Sequence, residues 1–158
     1  MSTATELAAL FRRDLARLGQ EIDAFPSDEA LWQTLPGVTN AAGNLALHIE
    51  GNLREYVGRQ LGKLSYTRKR PLEFSSRGVS KHELCNRIAE LCQSIPSVIE
   101  QLSSEQLEME YPEVVFEFAI PTRQFLISLC GHLNWHLGQI DYLRRALTGD
   151  GAIKLAGL

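Results

Sequence analysis

The sequence predicts an all-α four-helix bundle, and three observations carry that prediction. Four long segments repeat their apolar residues at 3- and 4-residue steps. The connections between them are modest, as expected for antiparallel neighbours in a bundle. The chain has 158 residues with ordinary apolar content and interspersed charge, which suits one domain over 1–158 with a single core.

The first helix carries Leu7, Leu10, Phe11, Leu15, Leu18 and Ile22 on one stripe. Ser2, Thr3 or Thr5 is suited to cap its start, and Pro26 helps to end it. A short helical turn is expected over 28–34, before the Pro36-Gly37 break. The second helix is predicted from Thr39 or Asn40 to about Leu61, with Leu45, Ile49, Leu53 and Tyr56 inward and Val57 at the edge. The stretch 62–79 reads as a polar loop.

The third helix opens on Ser80-Lys81-His82-Glu83, a capping-box pattern. Its buried face is predicted as Leu84, Ile88, Leu91, Ile95, Ile99 and Leu102, with Pro96 expected to kink or split it. Met109 to Ile120 reads as an extended excursion with some strand character. Thr122 is then expected to cap a fourth helix running to about Leu147, ended by Gly149.

Composition excludes several function classes. The formal net charge is −3, and no basic block marks a nucleic-acid footprint; the short run TRKRP at 67–71 suits a solvated loop. No apolar run approaches the roughly 20 residues that span a bilayer, and the amino terminus does not resemble a secretory signal. Cys85, Cys92 and Cys130 make an odd number without CxxC spacing. That pattern points to a reducing cytoplasm and against a disulfide framework.

Function is expected where polar residues interrupt the inward stripes, because burying them unpaired is costly. On the fourth helix Leu129, His132, His136, Gln139 and Leu143 share a face. Two histidines four residues apart can direct both imidazoles at one ion, as in the helical HExxH zinc motif. Leu133 follows His132, so the metalloprotease glutamate is absent. The second helix carries a matching polar stripe, Asn44, His48, Asn52, Glu55 and Arg59. If His48 faces the bundle axis, it supplies a third nitrogen, and three imidazoles with one open position suit zinc, nickel and other divalent ions.

The run His132-Leu-Asn-Trp-His136-Leu-Gly-Gln139-Ile resembles the HxxxHxGQI signature of the DinB-like (YfiT-like) superfamily of metal-dependent proteins. Asn44-Leu-Ala-Leu-His48-Ile-Glu-Gly-Asn52 resembles that superfamily's second-helix motif, and the Trp32…Pro36-Gly37 stretch fits as well. The resemblance implies an up-down-down-up bundle, a divalent metal (usually zinc or nickel) on His48, His132 and His136, and a homodimer. It also implies thiol-dependent transferase or isomerase chemistry with a low-molecular-weight thiol such as mycothiol or bacillithiol, and the preferred reading is a cytoplasmic small-molecule enzyme, a thiol-dependent S-transferase or a hydrolase. The alternative is a non-catalytic metal-binding or interaction bundle; a weaker third reading has no metal and hydrogen-bonded core histidines.

Other residues carry smaller expectations. Asn52 suits orienting a fourth ligand or a substrate, or a plain interhelical contact. Gln139 suits support of an imidazole or the pocket wall. Glu55 is the best-placed carboxylate for general base work, set against a solvated pair with Arg59. Arg144 and Arg145 suit an anionic substrate or the helix dipole. His82 is expected on the surface, and Cys85 and Cys92 as small apolar packing residues. Cys130 is expected to point away from His132, and Trp32, Trp135 and Phe125 to lie in the core or an interface.

Overall fold

A computed structural model describes residues 2–115 and 117–154. Among these residues eight helical segments succeed one another: α1 Thr3–Asp23, α2 Asp28–Trp32, α3 Ala42–Leu53 continued by a π-helical turn Arg54–Arg59, α4 Arg70–Ser75, α5 Lys81–Glu100, α6 Ser104–Glu108 and α7 Thr122–Thr148. The four long elements are α1, α3 with its π turn, α5 and α7. Around the bundle the neighbours run α1, α5, α3, α7, so α7 packs on both α1 and α3.

The ends of the helices reflect local chemistry. Ser2 caps α1 by accepting from the Thr5 amide, and Gly149 ends α7 in the left-handed conformation at φ 76°. At α5 only half of the expected box forms: Ser80 accepts from the Glu83 amide, while the Glu83 carboxylate takes Arg87 Nε at 2.8 Å. A complete capping box appears instead at α6, between Ser103 and Gln106. Thr122 is not a cap but the first helical residue, buried behind Pro121, and α3 follows Ala41, which offers no side-chain cap.

Three further differences from the sequence reading concern Pro96, the second long helix and the excursion 109–120. Pro96 is buried within an unbroken α5. The second long helix does not stay α-helical to Leu61. Its π turn brings Val57 fully into the core and leaves Tyr56 half-buried. A π turn inserts one residue per turn and so rotates the residues beyond it around the helix axis. The excursion 109–120 pairs at one antiparallel bridge, Glu110 with Pro121, closed by Tyr111 N–H to Ile120 O (2.9 Å) and Thr122 N–H to Met109 O (2.8 Å). No strand forms among the described residues. The Tyr111 hydroxyl ties the excursion to the bundle by donating to Tyr56 O at 2.7 Å.

One hydrophobic cluster joins the inward faces of α1, α3, α5 and α7. All the predicted stripe residues of α1 are in it except Leu10, which is exposed. Its polar flank is buried as well: Asp14 and Glu21 bond to Asn134 and Arg144 of α7, and Arg17 is buried beside Asp14. No helix among the described residues is long and apolar enough to cross a membrane.

Candidate metal centre

The centre is built on α3 and α7 and closed by α4, a helix in the stretch that reads from sequence as loop. Residues 42 to 49 of α3 are buried on every side because α4 packs over the face that the rest of the bundle leaves open. Asn44 anchors that packing, its Nδ2 donating to Glu73 O (3.0 Å) and Ser76 O (3.1 Å) at the end of α4. Gly51 lets α4 come close: a Cβ there would lie 2.1 Å from Glu73 Oε1. Trp32 secures the start of α3, its ring against Gly43 and its Nε1 donating to Val79 O at 2.9 Å.

His48, His132 and His136 come together, with ligating nitrogens all within 4.8 Å of one another. His48 Nε2 lies 3.2 Å from His132 Nε2, and His136 Nε2 lies 3.1 Å from it. The other ring nitrogens are held by acceptors. His48 Nδ1 is 2.8 Å from Glu73 Oε2, and His136 Nδ1 is 2.7 Å from Gln139 Oε1.

Glu73 is itself gripped by Arg68, at 2.7 Å to Oε1 and 2.9 Å to Oε2. Burial alone would push the Glu73 carboxyl up, but the Arg68 and His48 hydrogen bonds outweigh it and hold the group below its ordinary value. An ionised Glu73 accepts only, so His48 carries its proton on Nδ1 and turns the Nε2 lone pair inward. The Gln139 carbonyl imposes the same tautomer on His136.

Two lone pairs therefore face the Nε2 of His132. A single N–H on His132 can satisfy only one of them, whereas a cation satisfies all three. Burial pulls His48 below its ordinary pKa, outweighing the Glu73 hydrogen bond, which acts in the opposite direction. His132 is lowered to about 4, first by burial and then by the neighbouring imidazoles. Neutral rings are what metal ligation requires, so the donor set fits a divalent ion with three nitrogen ligands.

A cleft of about 490 Å³ opens beside the histidines, lined by His48 and His132 together with Asn52, Tyr56, Arg70 and Phe125, among others. Asn52 is buried there, and its amide oxygen has no hydrogen-bond partner among the described residues.

Several sequence-predicted residues lie elsewhere. Glu55 accepts from Arg59 Nε at 2.8 Å and lines a neighbouring cleft with Arg59 and Glu113, away from the three histidines. Arg144 is no anion site: it is fully buried, with Nε 2.6 Å from Glu21 Oε2. Arg145 reaches Asp141 at 3.5 Å. His82 is exposed, and Cys130 sits against Asn134 on the α1 side of α7. Phe125 is buried and Trp32 half-buried, but Trp135 is 68% exposed and so lies outside the core.

Glu73 and Arg68 are the members of the site that the sequence reading missed. Pro71 near the start of α4 was the available signal, a favoured position for proline at a helix start.

The fold is that of the DinB-like proteins. A DinB-like protein from Bacillus cereus matches with a TM-score of 0.66 at 19% identity, over 89% of this chain and 91% of that one. A conserved protein from Enterococcus faecalis matches with a TM-score of 0.75 at 13% identity, over 95% of this chain and 99% of that one. No family profile matches the sequence, and neither does any curated protein.

Proposed function

We propose that this chain is a metal-dependent enzyme in which His48, His132 and His136 hold one divalent ion, zinc or nickel, and a small molecule reacts in the adjoining cleft. The observation that carries this reading is the convergence of three Nε2 atoms, two of them with lone pairs fixed inward by Glu73 and Gln139. A divalent ion with an open position supplies Lewis-acid polarisation and lowers the pKa of a bound water or thiol. The protein's own residues do the rest. Glu73, clamped by Arg68, fixes the ring and tautomer of His48, and Gln139 does the same for His136. Tyr56 and Phe125, their rings 5.4 Å apart, form an apolar side of the cleft that restricts water.

The reaction class, thiol-dependent S-transfer or hydrolysis, rests on the resemblance of the histidine motifs to the DinB-like superfamily. Among the described residues no carboxylate lines the cleft beside the histidines. This favours chemistry in which the ion activates the nucleophile over chemistry that needs a separate general base.

Elemental analysis of untagged protein tests the metal. About one zinc or nickel per chain is expected, falling to background in His132→Ala and His136→Ala. Less than a few tenths of an ion per chain, unchanged in His136→Ala, would remove the metal from the proposal. Activity is read by offering metal-loaded protein low-molecular-weight thiols with electrophiles, and activated esters. Turnover that disappears in the triple-histidine variant supports an enzyme; equal inertness of both proteins favours a metal-stabilised binding module.

A further inference from the structure

We infer that the solvent face of α7 is the interface for a second copy of this chain. The helix packs antiparallel on its own counterpart, across a two-fold axis between Asn134 and Trp135. The inference is independent of the metal reading.

Composition marks the face. Ten α7 positions from Gln124 to Ala146 are exposed and none of them is charged, in a chain that is 22% charged. The exposed face of α5, by contrast, carries Glu83, Glu90 and Glu100. A helix face left in water carries charge for solubility. Three of the ten positions are large and apolar: Ile127 at 52%, Trp135 at 68% and Tyr142 at 70% exposure. Tryptophan and tyrosine are the residue types that interfaces concentrate at their centres.

Gly131 and Gly138 lie between those three residues on the same face. Among the described residues nothing comes within 4 Å of a Cβ placed on either glycine, so the folded chain itself gives no steric reason for them. Each costs about 1 kcal/mol against alanine inside a helix. A second backbone packed close over them supplies the reason. The area is sufficient as well. Trp135 and Tyr142 alone leave roughly 300 Å² per copy in water, so two copies with the positions between reach the ~1,000 Å² of a specific interface.

The order of the residues selects a second copy as the occupant. In an antiparallel pair of identical helices related by a two-fold axis, each position before the axis faces the position equally far beyond it. With the axis between Asn134 and Trp135, Ile127 faces Tyr142 of the second copy and Gly131 faces its Gly138. At 3.6 residues per turn the glycines fall on the line of closest approach, with Ile127 and Tyr142 flanking it by about 30° on either side. Apolar meets apolar, and glycine meets glycine. Towards the edges Arg145 faces Gln124 and Asp141 faces Ser128, so no like charges meet. An unrelated partner would not call for this symmetry.

Sedimentation equilibrium of the untagged full chain tests the inference, with circular dichroism as the check on folding. Wild type is expected as a dimer, and Trp135→Glu should weaken self-association at least about 100-fold. Gln93→Glu, on the exposed face of α5, should leave it unchanged. Ile127→Lys and Tyr142→Glu should each weaken the dimer, and the double variant should recover at least about tenfold, because opposite charges then face each other. All the substituted positions are exposed, so folding is preserved. A chain that stays monomeric at every concentration overturns the inference and leaves the face to a different partner. A dimer that survives Trp135→Glu overturns it by placing the interface elsewhere. Loss of the dimer in both single variants without recovery in the double overturns the two-fold pairing.

Discussion

Helix α7 has two polar seams, and they are resolved in opposite ways. Against α1 the charges are paired within the protein. Asp14 accepts from Arg13 Nε at 2.8 Å, Arg17 Nη1 at 3.1 Å and Asn134 Nδ2 at 2.7 Å. Arg144 joins Glu21, Asp141 and the Gly151 carbonyl, which also ties down the segment after α7. Against α3 the seam has His48, His132 and His136, whose outer nitrogens on His48 and His136 are satisfied while the inner ones face each other. A buried polar cluster is therefore not a functional site by virtue of burial. The first seam carries opposite charges that cancel in place, with one Glu21 oxygen left over. The second collects nitrogen donors of one kind around a point that a cation would complete.

The largest expected effect tests the first seam. Arg144→Ala strands a buried Glu21 and should cost about 3–5 kcal/mol in urea denaturation, whereas Glu21→Gln with Arg144→Met should cost far less. Zinc stoichiometry of the folded fraction should not change in either, since neither residue touches the histidines. Loss of zinc from folded Arg144→Ala would mean that the two seams are coupled.

The next effect breaks the second seam from behind. Glu73→Gln frees the tautomer of His48 and should weaken zinc affinity by about 10- to 100-fold, read by competition with a chelating dye. Circular dichroism should be unchanged. An unaltered affinity would show that the Arg68–Glu73 clamp is only packing.

The third effect concerns pH in the metal-free protein. His132 is held at about 4 in the folded state, below the roughly 6.5 of an unfolded histidine. Between those values the unfolded chain binds the extra proton, so stability present above about pH 6.5 is lost as pH falls towards 4. His48 shifts in the same direction. Because His132 is partly solvated, a loss of roughly 1–2 kcal/mol is expected by denaturation at pH 7 and pH 4.5. His132→Phe should flatten the difference between the two pH values; an undiminished slope would place its origin in His48, which shifts the same way. The smallest effect is Gln139→Ala, where an exposed amide is removed. It should weaken zinc binding by less than about tenfold, because water replaces the lost acceptor.

Much of this was readable in sequence, for reasons that differ residue by residue. Helical spacing put His132, His136 and Gln139 on one face, and no tertiary contact is needed for that. The polar stripe of Asn44, His48 and Asn52 was equally visible, as a break in the buried pattern of the second long helix. The buried face of α5 matches the predicted residues from Leu84 to Ile99. Glu73 was hidden because α4 is six residues long, too short to hold a helix without the packing it gains on α3. The π turn was hidden too, since apolar spacing does not distinguish a one-residue insertion from an irregular stripe.

The sequence by itself determined the four long helices, because amphipathic periodicity and caps act over a few neighbouring residues. It also determined that His132 and His136 share one helix face and that His48 lies on a polar stripe of the second long helix. Only the tertiary structure decided that His48 meets His132 across 84 positions of chain, and that Arg68 and Glu73 fold back behind it. It likewise decided that Arg144 turns inward to Glu21 rather than out to a ligand. Those choices depend on which faces pack together, and that is set by burying the whole core at once rather than by any local stretch of sequence.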